Sequence, residues 1–149
     1  MKWITRERPK IDRIACPWLI KNFVDRDAEF IYVPKDQVFE QAKALGAIPY
    51  DLRGAEYTHE GDYCTFDYII KKHRITDPSV LQIADIVRAA DTDHFSLAPQ
   101  AAGLWAISAG LSYNFRNDHD MLTIGMEIYA ALYSWAKYVQ DEKHTWSMK

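Results

Sequence analysis

Asp12-Arg13-Ile14-Ala15-Cys16-Pro17-Trp18-Leu19-Ile20-Lys21-Asn22-Phe23-Val24, followed closely by Glu29-Phe30-Ile31-Tyr32-Val33, is the stretch that decides the fold. Its first part carries apolar residues at Ile14, Ala15, Trp18, Leu19, Ile20, Phe23 and Val24, which is helical spacing. Proline is tolerated in a first turn, so Pro17 predicts a helix proper beginning near Cys16. Asp25-Arg26-Asp27 ends it. The second part is β-branched and aromatic and is closed by Pro34, which predicts a strand. Upstream, Trp3-Ile4-Thr5 is a short strand, and the charged run to Lys10 with its Pro9 is a loop. Downstream, 37–45 is a short helix stopped by Gly46. A third strand is predicted over 48–52 and a polar loop around His59 over 54–62. Helices follow at 66–73 and at about 78–92, 98–115 and 118–140. The order β-α-β-α-β, then helices, predicts an α+β class. A small mixed or parallel sheet comes from the N-terminal third, with a C-terminal helical bundle packed on it. One domain is expected over 1–149, with a strand-containing portion at 1–58, a helical portion at 59–140 and a frayed tail at 141–149.

Composition excludes several classes. Of 149 residues, 48% are hydrophobic and 26% charged, the balance of an ordinary globular chain and not of a disordered or collagen-like one. No stretch approaches the roughly 20 apolar residues that span a membrane. The start, Met1-Lys2-Trp3-Ile4-Thr5-Arg6-Glu7-Arg8, lacks the apolar centre of a secretory signal, so a cytoplasmic location is expected. A net charge of -3 argues against a broad nucleic-acid-binding face. Cys16 and Cys64 show no zinc-finger spacing and are expected to be unpaired. No phosphate-binding glycine loop and no G-x-S-x-G elbow occurs.

The informative residues are polar ones where the pattern asks for apolar ones. On the helix from Pro78, Val80, Ile83, Ala84, Val87 and Ala90 share a face, and Asp91 falls on it, four residues after Val87. A carboxylate aimed at a core is costly unless paired, hydrogen-bonded or metal-bound. Asp93 and His94 follow directly, either as further ligands or as cap and surface residues. On the last helix, Ile124, Ile128, Leu132 and Trp135 form a stripe, and Asp120 precedes it by four. Capping explains Asp118, while His119 and Asp120 stay open. His59 lies on the loop joining the two halves, where functional residues concentrate. His59, Asp91 and Asp120 are therefore expected to converge on one divalent ion (zinc, manganese or iron). Asp12, Asp93 and His119 are further candidates, with Asp12 and Arg13 at the rim. Arg6, Arg8 and Arg13, beside a helix start, are expected to hold an oxyanion. Cys16, near that helix N-terminus, is a candidate low-pKa thiol. The bland alternatives are a solvated charge run and a buried cysteine.

The run from Trp3 to Ile20, with Arg8-Pro9-Lys10-Ile11-Asp12-Arg13-Ile14-Ala15-Cys16-Pro17-Trp18 at its centre, resembles the opening of the ChrB-type chromate-resistance domain. So do Ala90-Asp91-Thr92-Asp93 with Leu97-Ala98-Pro99-Gln100-Ala101-Ala102-Gly103-Leu104. Asp118-His119-Asp120-Met121 and the stretch His59…Gly61-Asp62…Cys64-Thr65-Phe66-Asp67 are similar as well. The resemblance implies a chromate-resistance role in which the domain binds a metal ion or an oxyanion, in sensing or detoxification. A metal-dependent enzyme, hydrolytic or redox, stays open as the alternative. Such domains occur as the C-terminal part of longer regulators and fused to rhodanese-like sulfurtransferases, so a sulfurtransferase-like or regulatory partner is implied. Direct DNA binding by this chain alone is not expected.

Overall fold

The structure, a computed structural model, describes residues 1–143; the remainder of the expected tail lies outside the described residues. Strand β1 (Lys2–Arg6) lies between β2 (Glu29–Val33) and β3 (Ile48–Pro49), and both pairings are parallel. Trp3 stands opposite Phe30 on one side and Ile48 on the other. Parallel neighbours need a crossover, and α1 (Asp12–Phe23) and α2 (Val38–Leu45) provide the helices for it. Successive strand residues face opposite sides. Trp3 joins the larger core with Ile14, Leu19 and Phe66, while Ile4 meets Val38, Ala42 and Leu52 beneath α2. Both faces of the small sheet are thus covered, as a parallel sheet requires. The third strand is shorter than its sequence suggests. The chain leaves the sheet after Pro49, and Asp51 turns it with φ 51.

Helix α1 begins at Asp12, four residues before Cys16, and so places Pro17 in its interior. A proline there removes the N–H that would pair with the carbonyl of Arg13. The hydroxyl of Tyr32, from β2, donates to that carbonyl at 3.4 Å instead. Ile11, just before the helix, has φ 31, an outlier for a β-branched residue. Two distant helices hold it there. Its N–H donates to Ser108 Oγ at 3.1 Å, and its carbonyl accepts from the Tyr129 hydroxyl at 3.3 Å.

The helical half contains α3 (Thr65–His73), α4 (Pro78–Asp91), α5 (Ala101–Asn114) and α6 (Asp118–Ser134), the last continuing into a π-helical turn over Trp135–Val139. Asp77 caps α4 by accepting from Ser79 and Val80, with Pro78 as the first helical residue. The Asn117 side chain caps α6 in the same way. Among the described residues no helix is long and apolar enough to cross a membrane.

Helices α1 and α6 pack against each other, and Gly125 makes the approach possible. A Cβ at Gly125 would sit inside the contact distance of Ile14 Cγ2. Gly125→Val should therefore destabilise the protein by about 1–3 kcal/mol through overpacking. The better helix propensity of valine over glycine offsets only a few tenths of that. Thermal unfolding checks it, and an unchanged midpoint would mean that α1 can move away at no cost.

Candidate metal centre

The centre forms where the parallel strands β1 and β3 end, a common place for sites in α/β sheets. Arg6 is the last residue of β1, and Asp51 lies just beyond β3. The next loop folds back on itself. Tyr57 bridges Tyr50, the Asp51 N–H donates to the Tyr57 carbonyl at 2.7 Å, and Glu60 pairs with Tyr63. This brings His59 over the strand ends. Asp91, the last residue of α4, reaches the same point from the helical half, and Asp12 reaches it from the first turn of α1.

Nε2 of His59 lies 2.9 Å from Asp91 Oδ2, 3.3 Å from Asp51 Oδ1 and 3.6 Å from Asp12 Oδ2. One ring nitrogen donates at most one proton, so a single N–H cannot satisfy three carboxylates at once. Ligand atoms of Asp12, His59 and Asp91 all lie within 4.8 Å of one another, the spacing of a shared cation. Asp12 is fully buried. Its carboxylate caps α3 from across the chain: Oδ2 accepts from the Thr65 N–H at 2.7 Å and Oδ1 from the Phe66 N–H at 3.3 Å. Asp51 is enclosed differently. Its Oδ1 accepts from the Thr65 hydroxyl at 2.9 Å, and its Oδ2 lies 3.5 Å from Arg13 Nε and 3.7 Å from Arg6 Nη2. The His59 side chain is 42% exposed, so the centre opens to solvent on its side.

A clamp holds the two helix ends that frame the centre. Arg88 of α4 grips Asp67 of α3 with two hydrogen bonds, 2.9 Å from Nε and 2.8 Å from Nη2. Asp67 in turn accepts from the N–H of Cys64 at 3.0 Å, closing the capping box of α3.

A family model described as ChrB, C-terminal domain, matches residues 3–136. This chain belongs to the ChrB C-terminal domain family. A curated relative, Protein ChrB of Cupriavidus metallidurans, is 30% identical over 122 residues, covering 81% of this chain and 36% of the relative. The chain thus spans about a third of that relative's length. No solved structure matches.

In this ChrB C-terminal domain His59 and Asp91 meet, as their sequence positions suggested, and Asp12 stands at the centre, not at a rim. Asp120 does not join them. It is exposed in the first turn of α6, where its N–H donates to Asn117 Oδ1. Asp93 is an exposed residue at φ 58 just past α4, and the exposed His119 packs edge-on against Tyr32. Arg8 is withdrawn from the arginine cluster. Its guanidinium donates to the carbonyls of Phe115 (2.7 Å) and Ser112, closing the C-terminal end of α5. Arg6 and Arg13 remain, with Arg6 Nε buried and without a partner. Cys16 is not a low-pKa thiol: it sits in the second turn of α1, fully buried, and burial pushes its pKa well up. Cys64 is also buried, and both cysteines are free. Asp51 escaped the sequence reading, and Thr65 entered it only within the stretch His59…Asp67, with no place at the centre. The signal for Asp51 was its place at the carboxyl end of a predicted strand.

The charges at the centre set a pH dependence. Burial raises the Asp12 carboxyl from 3.8 to about 7. The carboxylates of Asp12, Asp51 and Asp91 gathered at its Nε2 favour the charged ring and raise His59 from 6.5 to about 12. Both folded values lie above the unfolded ones, so the folded state binds the extra protons. The stability this gives is complete below the unfolded values and is lost as pH rises through the folded ones, first through about 7. Asp51, whose carboxyl is lowered, acts only in acid, below the unfolded 3.8. The metal-free protein should therefore melt at progressively lower temperature from about pH 5 to pH 9. A midpoint that climbs over this range would contradict the arrangement.

Proposed function

We propose that this domain is a metal-binding module of a chromate-resistance system. It holds one divalent ion on Asp12, His59 and Asp91, with Arg6 and Arg13 beside it to receive an oxyanion, in a sensing role. The observation that carries the reading is the convergence of a fully buried carboxylate, a second carboxylate and an imidazole within 4.8 Å. A buried carboxylate costs several kcal/mol unless compensated. Two helix amides and a shared cation compensate Asp12 more completely than the amides alone. One imidazole with two carboxylates suits manganese, iron or zinc more than a thiolate-loving ion. Two carboxylates neutralise a divalent ion, and Asp51 balances one of the two arginines. The loaded centre is thereby left with a net positive charge that favours an anion. The cytoplasm, where free thiols stay reduced, is the compartment we assign. The resemblance to domains that occur within longer regulators and fused to rhodanese-like sulfurtransferases supports a regulatory or sulfurtransferase-like partner.

The test is elemental analysis and calorimetry on dialysed protein with manganese, iron(II) and zinc. One ion bound per chain, with a thermal upshift that follows its concentration, is the expected result. Binding should strengthen with pH, because Asp12 and His59 must shed protons to become ligands. No stoichiometric binding of any of the three would overturn the reading. The partial exposure of His59 favours a second reading, in which the ion activates water or a redox substrate at an open position. Turnover by the loaded protein that vanishes with the ion would select it.

A further inference from the structure

The fold brings a third carboxylate, Asp51, closer to His59 than Asp12 and almost as close as Asp91, yet arranges it differently. We propose that Thr65 is a positioning residue that keeps Asp51 off the metal and so holds one coordination position open for an exogenous ligand. This rests on the reading of Asp12, His59 and Asp91 as ligands.

Thr65 is fully buried and touches two of the carboxylates with two different groups. Its backbone N–H donates to Asp12 Oδ2 at 2.7 Å, and its hydroxyl donates to Asp51 Oδ1 at 2.9 Å. The first contact belongs to the helix backbone and any residue would make it. The second needs a hydroxyl. Asp51 Oδ1 is the oxygen that faces His59 Nε2, at 3.3 Å, so it is the oxygen an ion beside His59 would attract. The other oxygen faces Arg13 and Arg6. The hydroxyl fixes the direction of Oδ1, and the two guanidinium groups at ion-pair distance hold Oδ2, so Asp51 already has a counter-charge that Asp12 lacks and is turned toward the arginines. Hydrogen bonds of this kind to a group beside a metal orient it and tune the ion. Removing the hydroxyl frees Oδ1 on the side of the ion, with no other donor in place to retain it but His59 itself.

The probe is Co(II), whose visible bands report its ligand number, with azide as the exogenous ligand. Wild type should bind Co(II), and azide should shift its bands. Thr65→Val should bind Co(II) at the same stoichiometry but lose the azide shift, because Asp51 takes the open position. Thr65→Ser, which restores the hydroxyl, should regain the shift. Asp51→Asn provides an arm that does not depend on the valine variant folding. Asparagine tolerates the left-handed backbone at this position (φ 51) and still accepts from Thr65. It should leave the wild-type Co(II) bands before azide unchanged. An azide shift in Thr65→Val equal to that of wild type, or bands already altered by Asp51→Asn, would overturn this inference alone. No Co(II) binding by wild type would overturn the ligand reading beneath it.

Discussion

Replacing Asp12 with alanine is expected to lower the unfolding free energy by about 2–4 kcal/mol, the largest stability effect of any single change at the centre. The carboxylate is fully buried and is the acceptor for the first two amides of α3. Alanine leaves both N–H groups buried without a partner, at about 1–3 kcal/mol each. Against this stands the relief of no longer burying a carboxyl whose pKa has been pushed to about 7. Relief dominates only when a substitute fills the space and leaves no donor unpaired. Alanine does neither, so the loss wins. Asp12→Asn, whose amide oxygen still accepts one of the two bonds, should lose less. Urea unfolding of the metal-free protein measures both, and a loss below about 0.5 kcal/mol for alanine would show that the amides find other acceptors.

Asp91→Asn is expected to weaken divalent-metal binding by at least about 100-fold while leaving the fold intact. The carboxylate is 16% exposed and its Oδ2 is 2.9 Å from His59 Nε2. The amide keeps the volume but removes the charge, so packing at the end of α4 persists and attraction for the ion does not. Asp120→Asn provides the control, because Asp120 is exposed on α6 and should leave affinity unchanged. Calorimetry decides between them. Equal affinity in wild type and Asp91→Asn would remove Asp91 from the ligand set.

Asp91 was legible because α4 has a sharply defined buried face, through Val80, Ile83, Ala84 and Val87, and the aspartate continues it. The same argument misplaced Asp120. The stripe through Ile124 is not the buried face of α6: Ile124 is 42% exposed, and the helix buries Met121, Leu122, Gly125 and Tyr129 instead. In a largely apolar helix, periodicity does not say which side is inward. The strand-helix order and the parallel sheet were readable from period changes. The start of α1 was not, because the carbonyl orphaned by Pro17 is answered by Tyr32, nineteen residues along the chain from Arg13, a contact that no local pattern encodes. Arg8 looked like part of an anion site since its neighbours in sequence are charged. Its real partners, the carbonyls at the end of α5, come from more than a hundred residues downstream.

Ile11 holds its unusual backbone only because α5 grips its N–H through Ser108 and α6 grips its carbonyl through Tyr129. The next residue is Asp12. The position of that carboxylate is therefore part of the same mechanical circuit as the packing of two helices on the far side of the chain. Backbone strain of this kind costs of order 1–3 kcal/mol and persists only while its surroundings impose it. Loosening α5 or α6 would remove the grip on Ile11, the residue that leads into Asp12. By reciprocity of linked equilibria, any event that fixes Asp12 tightens the two helices by the same free energy. An ion at the centre would then be felt in the packing of α5 and α6.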